Sequence, residues 1–266
     1  PKKKLATLRA DINIAGVPAV FYEQTNQLWC ILSTSPLLND SGEPDYPSQK
    51  MGMKLGANKK TSKDRDLMEI ELSALRGKSN MSGVPIYLVG TQTDGINNHL
   101  SRWHYLRRYN DETTKNPYGT EGTNRAYFLS IYPDVKFSRT TISDTIDDDP
   151  KLRRALEITS DLHQLLYSVR SFPRELLCDP KTLYEDLIAL GYDWDKILTE
   201  TRGVWLFGDG DLKQMSAADK WPLTTADLLN IRAGGYVPYW LDKAKWPKPK
   251  IIDKSTVTPT EVVANE

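Results

Sequence analysis

Cysteine is almost missing from this chain: Cys30 and Cys178 are the only two in 266 residues. Both lie in apolar segments, so no disulfide framework holds the fold, and two buried thiols in a reducing, intracellular or particle-packaged setting are expected. Histidine is scarce as well. His99, His104 and His163 occur without a CxxC, HxH or HExxH spacing, so a zinc centre would lack its usual ligand set. No run of about 18 apolar residues exists, which excludes a membrane-spanning helix. The start, Pro1-Lys-Lys-Lys-Leu5, is basic without the apolar stretch of a secretory signal, and reads as a chain that has lost its initiator Met.

Net charge is also lacking, with 35 Lys and Arg against 35 Asp and Glu. A protein that coats nucleic acid with its whole surface is usually basic, so any such contact must come from local patches. The loop motifs of nucleotide and acyl chemistry are absent. There is no GxSxG, no GxxxxGK[ST], and no GxGxxG after a strand. Gly90-Thr-Gln-Thr-Asp-Gly95 joins a strand to a helix but lacks the lysine and the glycine spacing of a phosphate loop. Asp209 and Asp211 resemble the first ligands of a calcium loop, yet its glycine and distal glutamate are out of place, and a tight turn is expected. No metal or cofactor is expected.

What is present begins with Ile96–Asp111. As a helix it puts Ile96, Leu100, Trp103 and Leu106 on one apolar stripe, with Arg102, Tyr105, Arg108 and Tyr109 opposite and His104 on the flank. Guanidinium groups alternating with aromatic rings suit phosphate contact and base stacking. A second basic stretch falls in the long polar segment 37–65. It contains Lys50, Lys54, Lys59, Lys60, Lys63 and Arg65 against Asp64 alone. Charges from both stretches would add, because phosphate affinity scales with the number of charges neutralised.

The chain reads as α+β. A basic arm (1–10) precedes a β-rich portion (11–140) holding the long loop and one exposed helix; a helical portion (141–246) and an extended arm (247–266) follow. Val, Ile, Phe, Tyr and Trp mark strands and a hairpin at Ile12–Ile14, Val17–Tyr22 and Gln27–Ser33, broken by Gly16 and the polar Glu23-Gln-Thr-Asn26. Met68–Leu75 alternates Ile70 and Leu72 with Glu69 and Glu71, as a half-buried strand does. Gly83–Gly90, Ala126–Ile131 and Val135–Phe137 follow as strands, with a turn cluster at Asn116–Thr123. Thr140–Asp149 reads as a polar, acidic connection. Asp149-Pro150 and Asp179-Pro180 are helix starts, opening a helix to about Val169 and another stopped by Gly191. Shorter helices are expected at Trp194–Thr201 and Thr225–Ala233.

One enzymatic pattern survives. Asp134 and Lys136 close a strand as acid-x-Lys, which fits metal-dependent nuclease chemistry in which carboxylates hold Mg²⁺ and the lysine positions water. The second acid would come from Asp111, Glu112, Glu69 or Glu71. A protein–protein adaptor is a third reading, with the aromatic segment Tyr236–Trp246 as its anchor. The leading expectation is a non-enzymatic, self-assembling subunit of the coat-protein or nucleoprotein kind. Its arms would bind other copies, no membrane would be involved, and Arg102, Tyr105, Arg108, Lys54, Lys59, Lys60, Lys63 and Arg65 would meet nucleic acid, RNA first.

Overall fold

A computed structural model describes residues 28–42, 44–47, 67–76, 85–91, 94–109, 118–121, 126–167, 172–203 and 221–234. The fold is α+β, with antiparallel sheets in the N-terminal half and helices later in the chain. The chain divides into two compact units, one of residues 1–47 and 51–105, the other of 48–50 and 106–266. Both expected terminal arms, the strands at 12–22, the basic loop from Lys50 to Arg65, and Tyr236–Trp246 lie outside the described residues.

The first unit is built on β1 (Leu28–Pro36), β2 (Met68–Arg76), β3 (Pro85–Thr91) and β4 (Gly95–Ile96), in that spatial order and all antiparallel. The alternation in β2 holds. Glu69 and Glu71 stand on one face beside Ser35, Ser33, Val89 and Tyr87; Ile70 and Leu72 stand on the other beside Thr34, Ile31, Leu88 and Ile86. Burial follows the opposite preference to the usual one. On the glutamate side Ser73 and Val89 are fully shielded, whereas the Ile70/Leu72 side is only half-buried and carries Trp29, Ile31 and Ile96 at 48%, 62% and 50% exposure. Ile96 thus belongs to β4 and faces solvent instead of joining the helical stripe, because the helix does not begin until Asn98.

In the second unit β5 (Tyr118–Glu121), β6 (Ala126–Leu129) and β7 (Tyr132–Phe137) form an antiparallel sheet in that order. β5 falls inside the stretch expected to turn. Gly119 pairs with Phe128, and a Cβ on Gly119 would lie 2.1 Å from that ring, so glycine here gives room for an aromatic side chain within a strand. The expected acidic connection is also corrected: α2 (Ile142–Asp148) is a short helix, since Ile142 and Ile146 are four apart and both buried.

The helical packing centres on α3 (Pro150–Tyr167), which touches α2, β6, β7, α4 (Pro180–Ala189), α5 (Trp194–Glu200) and α6 (Thr225–Gly234). Asp149 starts α3 as expected, its Oδ1 accepting from the Lys151 and Leu152 amides at 2.8 and 3.2 Å. The buried stripe is Leu152, Ala155, Leu156, Ile158 and Leu162. Asp179 caps α4 through the Thr182 amide at 3.0 Å. Gly191, at φ 88°, closes α4 with Tyr192 N–H on the Leu187 carbonyl and its own N–H on Ile188, the left-handed turn glycine favours. Two short strands, β8 (Thr201–Arg202) and β9 (Trp221–Pro222), pair in parallel beside α3. There the buried Arg154 bonds Glu157 at 2.8 Å and the Leu223 carbonyl, while Glu157 accepts from the Gly203 amide at 3.3 Å.

Candidate functional site

The helix singled out by the sequence is α1 (Asn98–Arg108). Asn97 starts it: its Oδ1 accepts from the Leu100 amide at 2.9 Å, and its own N–H reaches the Val89 carbonyl at 2.9 Å. Ser101 fastens the first turn to β3 by accepting from the Val89 amide at 2.8 Å and donating to the Asn97 carbonyl at 2.7 Å. Leu100, Trp103 and Leu106 are buried as the stripe requires. Arg102 and Tyr105 are half-buried and Arg108 is exposed, so the basic-aromatic face is the outward one. Lys54, Lys59, Lys60, Lys63 and Arg65 lie outside the described residues, so α1 alone carries the described part of the expected nucleic-acid surface.

The inner face of α1 holds a network that the sequence reading placed on the helix flank. His104 Nε2 lies 2.6 Å from Glu69 Oε2, and Nδ1 lies 3.0 Å from the Tyr46 hydroxyl, whose ring meets the imidazole edge-on. In the neutral imidazole whose Nε2–H donates to the glutamate, the lone pair on Nδ1 accepts from the tyrosine O–H. Glu–His–Tyr chains can hold and pass a proton. Tyr46 is only 1% exposed, however, so no substrate reaches its oxygen, and the network fastens segment 37–47 and β2 to the helix. The signal available in the sequence was spacing. His104 is four residues from Leu100 and one from Trp103, on the buried side of the stripe. Its partners, 35 and 58 residues away, left no local mark.

The nuclease residues occupy the other unit. Asp134 and Lys136 project from the same exposed side of β7, and Lys136 pairs with Glu121 of β5. Of the proposed second acids, Glu69 holds His104, and Glu71 accepts from Ser33 at 2.9 Å and Tyr87 at 3.4 Å. Asp111 and Glu112 lie outside the described residues. Among the described residues no group of three or more His, Cys, Asp or Glu is placed to hold a metal ion. A second polar cluster surrounds Tyr132. Partial burial and then the neighbouring Asp149 hold its hydroxyl above the usual tyrosine range, beside a Lys151–Asp195 pair at 2.5 Å that raises the lysine. These groups satisfy each other at the base of α3. Cys178, deep in the helical core, has its thiol pushed up to about 12, chiefly by burial, and is chemically quiet.

No helix among the described residues is long and apolar enough to cross a membrane. The chain matches no protein-family model, no curated protein and no solved structure.

Proposed function

We propose that the protein is a non-enzymatic, self-assembling subunit of the coat-protein or nucleoprotein kind, which meets RNA through the outward face of α1. The observation that carries this reading is the half-open apolar side of the first unit's sheet. Trp29, Ile31 and Ile96 there are each about half or more exposed, on the same face as Ile70, Leu72, Ile86 and Leu88. Contiguous apolar surface of this kind marks interaction sites on soluble proteins. The outward Arg102, Tyr105 and Arg108 supply the charge and rings a single-stranded nucleic acid needs, on a helix whose inner face is fixed by Ser101 and His104. The nuclease alternative gains no such support, since Lys136 is engaged by Glu121.

The test is size-exclusion chromatography of the native protein with light scattering and absorbance at 260 and 280 nm. A large species with a nucleic-acid-like ratio is expected. Replacing Arg102 and Arg108 by Glu should lower that ratio while the oligomer persists. A monomer with a protein-like ratio would overturn the reading.

A further inference from the structure

α1 differs in charge from the chain that carries it. Its eleven residues, NHLSRWHYLRR, hold Arg102, Arg107 and Arg108 and no acid, in a sequence of 35 basic and 35 acidic residues. Cations in a last helical turn complement the carbonyl end of the helix, which gives Arg107 and Arg108 a local reason to be basic. That field falls off within one turn and does not reach Arg102, in the second turn. The order along the outward face is arginine, ring, arginine. Arg102, Tyr105 and Arg108 follow one another at intervals of three, so successive side chains are about 60° apart around the axis and the two arginines are separated by a rise of about 9 Å.

The backbone beneath that face is held on its inner side. Leu100, Trp103 and Leu106 are buried, Ser101 accepts from the Val89 amide at 2.8 Å, and His104 lies 2.6 Å from Glu69. Tyr105 sits between His104 and Leu106, both less than a tenth exposed. Its place is therefore set before a ligand arrives, and little of the cost of ordering it falls on binding.

We infer that this face binds single-stranded RNA through one unpaired nucleotide, whose base stacks on the Tyr105 ring while Arg102 and Arg108 contact the phosphates on its two sides. This rests on the RNA reading above and names the form of nucleic acid that α1 accepts. Charge complementarity selects a polyanion, since every charge on the helix is positive. The ring then separates single strands from duplexes. It can stack only on a base whose face is open, and in a duplex the neighbouring bases cover that face. The deep, narrow major groove of an RNA duplex does not admit side chains, which leaves the helix only phosphates to touch. Asn, Gln, Asp and Glu, which read base edges alongside arginine, do not occur from His99 to Arg108. Every base has a π-face, so the site tolerates sequence.

The experiment is fluorescence anisotropy of the full-length protein, freed of bound nucleic acid in high salt, with labelled oligouridine, oligoadenosine and an RNA duplex of equal length over a range of salt. Expected are similar affinities for the two single strands and a weaker complex with the duplex. Tyr105→Leu should lower single-strand affinity roughly 5- to 150-fold without changing the salt slope, and Tyr105→Phe should keep it. Arg102→Gln should instead reduce the slope of log affinity against log salt by about 0.7. Photo-cross-linking of thiouridine-containing RNA to the unaltered protein should label the peptide that holds Tyr105, a result that depends on no variant folding. A duplex bound as tightly as the single strands, or no Tyr105 cross-link together with an unaffected Tyr105→Leu, overturns the stacking site and leaves the coat-protein or nucleoprotein reading standing. Failure to bind any of the three RNAs overturns the RNA contact proposed above as well.

Discussion

Replacing Tyr46 by Phe removes one oxygen and nothing else from the network beneath α1. Phenylalanine keeps the ring against the His104 edge, so packing is conserved and the change isolates one hydrogen bond of 3.0 Å. In the neutral imidazole the acceptor left behind is Nδ1 of a histidine only 8% exposed. A buried polar atom deprived of its partner costs about 1–3 kcal/mol, more than the ~1 kcal/mol an average hydrogen bond contributes net. Glu69 cannot compensate, since it is committed to the other nitrogen. The loss should appear first as local opening of α1. Native-state hydrogen exchange at the Trp103–Arg107 amides should therefore accelerate roughly tenfold for every 1.4 kcal/mol lost. Urea unfolding followed by circular dichroism should show a lower midpoint with little change of slope. A double-mutant cycle with His104→Leu should reveal a coupling well above the ~0.3–0.5 kcal/mol of independent sites. A Tyr46→Phe effect below about 0.5 kcal/mol, or additivity in the cycle, would refute the buried network.

Four further outcomes follow from other parts of the structure. Iodoacetamide at pH 8 should label Cys30 in the native protein and spare Cys178 until unfolding, checked by peptide mass spectrometry. Burial raises the Cys178 thiol from 9.0 to about 12, so its contribution to stability is complete below pH 9 and lost as pH climbs toward 12; Cys178→Ala should flatten that alkaline decline in unfolding curves. Arg154→Leu takes the guanidinium away from Glu157 and the Leu223 carbonyl beside α3 and should cost about 3–5 kcal/mol in thermal or urea unfolding. Gly191→Ala forces an L side chain to φ 88° and should cost about 1–2 kcal/mol by the same measurement.

Much of the helical half was legible because its signals are local. Asp-Pro starts, a glycine stop and stripes four apart are all contained within one helix, and α3, α4 and α6 appear where those marks fall. Two misreadings have a common cause. Thr140–Asp149 looked like a connection because four acids outweighed Ile142 and Ile146, though the isoleucines, with Ser143 between them, are the buried residues. Asn116–Thr123 looked like a turn because Gly119 counts as a breaker, until Phe128 from the next strand occupies its space. In the sheet, the alternation of β2 was plain but the buried side was not. Period-two patterns reveal two faces, and only partners elsewhere in the chain decide which is covered. His104 shows the same limit. Its place on the helix flank was visible, while Tyr46 and Glu69 came from segments that composition alone gives no reason to join.

The small clamp at α3 has a practical consequence. Parallel pairing of Thr201 with Trp221 brings the two ends of segment 204–220 together, and Arg154 with Glu157 ties both ends to one helix. The two ends are held by anchors outside the segment, and lengthening a flexible closed connection adds only about 0.6 kcal/mol for each doubling. A tag, a fluorescent module or a protease site placed between Gly203 and Trp221 is therefore the insertion this chain should accept most readily.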